Sequence, residues 1–164
     1  MSTPPPVDSN SPAAEAVIDD PRRRRMILVA MCVALMAVIA SVAGLNVAQQ
    51  ELAIDFGASQ SQILWIINAY ILALAAFLMP IGAIGDRWGR KQVLLIGLAT
   101  FTVASVAAAF AGSTEFMIGA RAVAGLGAAM IMPVTLSVIT SSFPPEDRAQ
   151  AIGIWAGVAG GGGM

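Results

Sequence analysis

The chain has 164 residues, of which 57% are hydrophobic and only 12% are charged, and its formal net charge is −1. This balance lies outside the range of soluble globular domains, and the clustering of the apolar residues in long runs indicates a membrane protein. The single cysteine, Cys32, excludes an intramolecular disulfide, and the absence of histidine removes the commonest metal ligand. We therefore expect neither a metal site nor a cofactor.

The first 25 residues differ from the rest of the chain. They are rich in proline, serine and acidic residues and show no hydrophobic periodicity, which predicts a disordered tail over residues 1–25. The tail ends in Arg22-Arg23-Arg24-Arg25, directly before an apolar run. A signal peptide is the alternative interpretation, but the run over 26–48 exceeds the roughly 7–15 residues of a signal-peptide core. A retained membrane helix is predicted instead.

Four segments are long and apolar enough to cross a bilayer: about 26–48, 62–84, 93–111 and 116–140. A crossing needs about 20 apolar residues, and in lipid the backbone of each must be helical. A fifth apolar segment, 149–164, corresponds to roughly 24 Å of helix, which is short of a full crossing. We therefore predict an all-α membrane protein, a transmembrane helix bundle over 26–164 with four full spans and a truncated fifth.

Basic residues alternate along the connections between these segments. Eight of them lie in the tail and in the second and fourth connections: Arg22, Arg23, Arg24, Arg25, Arg87, Arg90, Lys91 and Arg148. The first and third connections, 49–61 and 112–115, contain none. The positive-inside rule places the N-terminus and the 85–92 loop on the cytoplasmic side of a cell membrane. The basic clusters thus reflect topology and do not predict nucleic-acid binding.

The second connection carries the motif Gly82-Ala-Ile-Gly-Asp-Arg-Trp-Gly-Arg-Lys91. It resembles the loop signature of the major facilitator superfamily, with Ile84 where that family usually has leucine. The resemblance implies a conformational latch between the two halves of a transporter, formed by Gly82, Gly85, Asp86, Arg87, Gly89, Arg90 and Lys91. A loop that only orients the helices would explain the basic residues but not the spacing of the glycines and the aspartate.

The first segment resembles the fourteen-helix drug:proton antiporter branch of that superfamily. Asn46-Val-Ala48 matches the N-V-A of the branch, whereas Ser41 stands where the branch has aspartate. A membrane carboxylate can exchange a proton for a cationic substrate, and a serine hydroxyl cannot. Because none of the four predicted spans contains Asp or Glu, this part of the chain does not itself supply the carboxylate that the resemblance implies.

The second segment matches the same branch at Trp65 and Tyr70. Asn68 and Tyr70 are candidates to face a substrate path, together with Ser41 and Asn46 of the first segment. Trp65, near the end of its segment, is more typical of the aromatic belt at a membrane surface.

Arg121 is the one basic residue inside a predicted span. A snorkelling side chain is one interpretation, because Arg121 is only roughly 7 Å from the end of its segment. The local sequence Arg121-Ala-Val-Ala-Gly125-Leu-Gly127-Ala-Ala129 resembles the fourth-helix signature of proton-driven drug antiporters, although Ala124 replaces the usual glutamine. That resemblance implies a role for Arg121 in proton transfer. Gly125, Gly127 and Pro133 are predicted to serve helix packing and bending.

These patterns predict a transporter of the major facilitator superfamily, represented by its N-terminal portion. The resemblance covers about residues 26–164, which corresponds to less than half of a family member. We expect efflux of drugs or amphipathic small molecules in exchange for protons, with the lipid bilayer and the absent C-terminal half as partners. The alternatives are a truncated, non-transporting membrane protein and a facilitator for another small solute. No nucleophile motif or intramembrane acid pair indicates an enzyme.

Overall fold

The computed structural model of the protein describes residues 20–161, except for the side chains of Asn46, Ala48, Gln49, Gln50, Leu52 and Asp86. Within this range the regular structure consists of five helices: α1 (Pro21–Asp55), α2 (Gln60–Trp88), α3 (Arg90–Ala109), α4 (Thr114–Ser142) and α5 (Pro145–Gly161). The prediction of an all-α helix bundle is confirmed.

Four of these helices contain stretches long and apolar enough to cross a membrane: Pro21–Leu45, Gln60–Gly85, Arg90–Ala109 and Thr114–Ser142. The α4 stretch lies at the centre of the bundle, because 50% of its most apolar window is buried, against 17–22% for the other three. Large apolar side chains on the peripheral helices face outward, as at Met79 and Val103. Outward apolar side chains are expected where lipid replaces water around a protein.

Successive helices run in opposite directions, so their ends gather at two ends of the bundle. At one end, Arg24 near the start of α1 forms a salt bridge of 2.9 Å with Asp147 near the start of α5. At the same end, Arg90 at the start of α3 donates a hydrogen bond of 3.0 Å to the carbonyl oxygen of Ser137 near the end of α4. We call this the basic end, because it collects the eight basic residues of the tail and of the second and fourth connections.

The helices extend beyond the apolar segments that predicted them. Helix α1 begins at Pro21, so residues 21–25, expected to belong to the tail, are helical; residues 1–19 lie outside the described range. The Asp20 carboxylate caps this start by accepting a 2.9 Å hydrogen bond from the Arg22 amide, and proline is favoured at a first helical position. A capping box formed by Ser59 and Gln62 likewise starts α2 before its apolar run. Hydropathy detects the lipid-facing stretch and not these polar caps.

The connection between α2 and α3 is shorter than the predicted 85–92 loop. Helix α2 continues to Trp88 and α3 starts at Arg90, so Gly89 is the one residue between them. Its φ of +98° is a conformation that residues with a side chain rarely adopt. A single glycine therefore ends one helix and begins the next, and most of the motif that predicted a loop is helical.

Replacing Gly89 by alanine should destabilise the bundle by about 1–3 kcal/mol, because alanine would be forced into the left-handed half of backbone space. Thermal unfolding in detergent micelles, followed by circular dichroism, measures the loss. Gly112→Ala is the matched control: this exposed connecting glycine has open space around it and no positive φ. Equal unfolding temperatures for the two variants would contradict the argument.

Candidate functional site

Arg121 of α4 links the central helix to α1. Its Nη1 donates a hydrogen bond of 2.9 Å to the Ser41 hydroxyl and one of 3.3 Å to the Ser41 carbonyl oxygen. Arg121 is half-buried and lies about 10 Å along α4 from the helix start at Thr114. Both acceptors are uncharged, so these contacts leave the guanidinium charge without a carboxylate counter-charge.

Tyr70 of α2 lies beside this link. Its side chain is only 3% exposed, and it lines a cavity of about 10 Å³ together with Arg121, Val42 and Leu45. Neither the Tyr70 hydroxyl nor the Arg121 Nε, both buried, has a hydrogen-bond partner among the described residues. Buried polar groups are almost always paired, so two unpaired groups around one cavity make it a candidate site.

A second, larger cavity also borders the Arg121–Ser41 link. It has a volume of about 540 Å³ and is bounded by α1, α3 and α4. Its polar lining residues are Ser41, Asp55, Ser105 and Arg121, and the remainder of the lining is mostly apolar. A concave apolar site with a few polar groups is the usual form of a small-molecule site.

The other residues predicted for a substrate path are placed differently. Asn68 is exposed, on the side of α2 away from buried Tyr70, as a separation of two residues on a helix requires. Trp65 is 54% exposed near the start of α2, the position expected of a membrane-surface residue. The side chain of Asn46 lies outside the described residues, although its backbone belongs to α1. The structure thus brings together Ser41, Tyr70 and Arg121 and leaves Asn68 apart.

The predicted latch residues lie at the basic end, on α2, Gly89 and α3. Gly82 and Gly85 face α4: a Cβ atom at Gly82 would lie 3.9 Å from Pro133, and one at Gly85 would lie 3.4 Å from Val134. These residues, with Arg90 and Ser137, line a cavity of about 110 Å³ between α2 and α4. Arg87 and Lys91 are exposed, and the side chain of Asp86 lies outside the described residues. The two glycines therefore already pack within this bundle, while Arg87 and Lys91 point away from it.

Glycines bring the backbones of the helices close together at the level of the site. A Cβ atom at Gly125 would clash with the carbonyl oxygen of Tyr70, and one at Gly127 would lie 2.7 Å from the backbone nitrogen of Phe101. Gly97 of α3 faces the same contact, since its Cβ atom would lie 2.6 Å from that of Met130. Sequence reasoning selected Gly125 and Gly127 but missed Gly97, which has no motif around it.

A hydrogen-bonded contact between α4 and α5 was also missed. The indole of Trp155 donates a 3.2 Å hydrogen bond to the hydroxyl of Thr135, which in turn donates one of 2.8 Å to the carbonyl oxygen of Met132. Thr135 is fully buried, two residues after Pro133 in α4. A threonine inside an apolar span was the available signal, because a buried hydroxyl needs hydrogen-bond partners.

Comparison with known proteins identifies the family that this chain resembles and several similar proteins. A family model described as Major Facilitator Superfamily matches residues 18–164. The methyl viologen resistance protein SmvA of Salmonella typhimurium is 44% identical over 119 residues, which cover 72% of this chain and 24% of the relative. The multidrug efflux pump LfrA of Mycolicibacterium smegmatis is 50% identical over 103 residues, 62% of this chain and 20% of the relative.

The tetracenomycin C resistance and export protein of Streptomyces glaucescens is 41% identical over 130 residues, 79% of this chain and 23% of the relative. The matched part of this chain thus spans about a quarter of the length of these relatives. The names of these relatives refer to resistance, efflux or export.

Proposed function

The chain belongs to the major facilitator superfamily, and we propose that it forms the first helices of an exporter of drugs or other amphipathic small molecules. The named relatives are resistance, efflux and export proteins, and their similarity extends over 62–79% of this chain. Since the matched part corresponds to about a quarter of each relative, transport is proposed for the complete protein to which these helices belong.

The observation that carries this proposal is the Arg121–Ser41 link beside buried Tyr70. A charged guanidinium among membrane-spanning helices is costly and is usually retained for a function. Here it connects α4 to α1 at 2.9 Å and lines both of the cavities beside the link. Alternating-access transporters open to one side of the membrane at a time by rocking groups of helices about a site near the bilayer midplane. A polar contact between two such helices can be exchanged for contacts with a substrate.

We further propose that export is driven by proton antiport. A group that takes up and releases a proton near neutral pH is needed, and a carboxylate is the usual choice. The apolar segments 26–48, 62–84, 93–111 and 116–140 contain no Asp or Glu, and Ser41 occupies the place of the branch carboxylate. The exchanging carboxylate is therefore expected from another part of the protein, with Arg121 placed to sense its charge.

The proposed orientation has the basic end in the cytoplasm of the cell. Eight arginines and lysines gather there, while Glu51, Asp55 and Glu115 lie in or beside the connections at the opposite end. The positive-inside rule supports this assignment. Exposed Arg87 and Lys91 would then be available to the C-terminal half of the transporter, in the latch that the family motif implies.

The experiment uses the complete reading frame that encodes this chain, expressed in bacteria whose own efflux pumps are deleted. We expect energised cells to expel a preloaded amphipathic fluorescent dye, and a protonophore to abolish the expulsion because it removes the proton gradient. Cells with the empty vector are the control. A non-transporting membrane protein would give no expulsion in either condition. A facilitator for another solute would leave dye retention unchanged, and either result would reject the proposal.

A further inference from the structure

We propose that a cleft between the first turns of α1 and α5 binds the headgroup of an anionic phospholipid. The α1–α5 cleft is defined by Arg24, Arg25, Leu28, Asp147, Gln150 and Ile154, and it encloses about 280 Å³. It lies at the basic end, remote from the Arg121–Ser41 link. The inference goes beyond transport and rests only on the insertion of these helices in a bilayer.

The charge around the cleft favours an anion. The charged residues that line it are two arginines, Arg24 and Arg25, against one acidic residue, Asp147. Asp147 is engaged with Arg24 in the 2.9 Å salt bridge, and Asp20 caps α1. Arg25 is exposed at the rim. A phosphate in the cleft would therefore meet a net positive surface, with Arg25 and the side-chain amide of Gln150 among the donors that line it.

The lower part of the cleft favours a lipid over a free phosphate. Leu28 and Ile154 line its wall, together with Phe143 and Ala151, which belong to a buried apolar cluster. The neighbouring Val29 is 62% exposed and Ile154 is 46% exposed, so the apolar wall continues onto the outward face of the helices. A free phosphate gains nothing from an apolar wall. The glycerol and upper acyl chain of a phospholipid would cover it.

The level of the cleft in the membrane agrees with a bound phospholipid headgroup. The arginine run ends at Arg25, and the apolar stretch of α1 begins at the next residue, Met26. Arginines at that boundary lie at the level of lipid headgroups, where each contributes to the attraction of anionic lipids. The salt bridge between Arg24 and Asp147 links α1 and α5 at this depth, and both of its residues line the cleft.

The test is native mass spectrometry of the chain purified with equal amounts of phosphatidylglycerol and phosphatidylcholine that carry identical acyl chains. We expect preferential retention of phosphatidylglycerol. Arg25→Gln should lower the phosphatidylglycerol to phosphatidylcholine ratio by more than about five-fold, because it removes a hydrogen-bond donor in the cleft as well as the general attraction of one interfacial arginine. Arg23→Gln removes the same charge from the same run but lies outside the cleft, so the ratio should fall by no more than about five-fold, and by clearly less than with Arg25→Gln.

A third variant and a soluble competitor complete the test. Gln150→Ala leaves the charge unchanged and should also lower the ratio, because it removes a donor in the cleft. Equal losses for Arg25→Gln and Arg23→Gln would show unspecific attraction and overturn the proposal, as would an unchanged ratio for Gln150→Ala. Loss of the bound lipid in millimolar inorganic phosphate would show a phosphate site, which also overturns the assignment to a lipid. Circular dichroism of each variant confirms that the bundle is folded.

Discussion

Gly125→Ala is expected to destabilise the helix bundle by about 1–3 kcal/mol or more, although it adds only one methyl group. The new Cβ atom would clash with the carbonyl oxygen of Tyr70 and would lie 3.0 Å from the Cβ atom of Ala73. The Tyr70 oxygen belongs to the backbone of α2, so no side-chain rotation can relieve the clash. Helices α2 and α4 would have to separate at the level of the candidate site.

The matched control lies on the same helix. Gly119 has no atom within 4 Å of the position that a Cβ atom would occupy. Gly119→Ala should therefore be neutral or stabilise α4 by up to about 1 kcal/mol, because alanine is the better helix former. Unfolding of both variants in micelles, followed by circular dichroism, measures the difference. A Gly125→Ala variant as stable as Gly119→Ala would show that α2 and α4 are not in this close contact.

Arg121→Ala is expected to lower dye efflux by the complete transporter on the order of tenfold to hundredfold. This range corresponds to the loss of a hydrogen-bonded contact made by a charged group. The variant removes the donor that reaches both oxygens of Ser41 and leaves the Tyr70 hydroxyl facing an enlarged cavity. Initial rates of efflux from energised cells, corrected for the amount of protein in the membrane, provide the measurement.

Ser41→Ala removes the hydrogen bond between the Ser41 hydroxyl and Arg121 but keeps the positive charge of Arg121. It deletes the 2.9 Å hydroxyl acceptor but keeps the Ser41 carbonyl oxygen as a 3.3 Å acceptor, so efflux should fall less than with Arg121→Ala. If the two variants behave alike, the hydroxyl contact accounts for the whole role of Arg121. Unaltered efflux with Arg121→Ala would mean that the arginine only snorkels to the membrane surface, and the candidate site would have to be abandoned.

Much of the fold could be predicted because a bilayer imposes simple rules. Apolar length predicted the number and type of spans, and the alternation of basic residues predicted which connections share an end of the bundle. The helix ends were predicted less well. Pro21 and Ser59 start helices outside the apolar runs, through capping interactions that hydropathy does not register. The motif around Gly89 predicted a loop, and the structure has one residue with φ +98° between two helices.

The candidate site was only partly predictable. Arg121 was conspicuous as a charge inside an apolar segment, and Ser41 was conspicuous by its departure from the family pattern. The sequence did not predict that Arg121 and Ser41, which are 80 positions apart in the chain, are hydrogen-bonded to each other. Gly97 was missed altogether, because a glycine in an apolar run looks the same whether it faces lipid or another helix.

The amino-acid sequence by itself determined the membrane class, the helical spans, the superfamily motifs and the charge difference between the two ends of the bundle. Each of these follows from local composition and from the cost of exposing backbone or charge to lipid. Only the tertiary structure decided which faces meet, placing Arg121 on Ser41, Gly125 on Tyr70 and Arg24 on Asp147. A span that is apolar around its whole circumference carries no amphipathic signal of its buried face. Which face is buried depends instead on small residues from distant segments of the chain, because these residues allow the helices to pack closely.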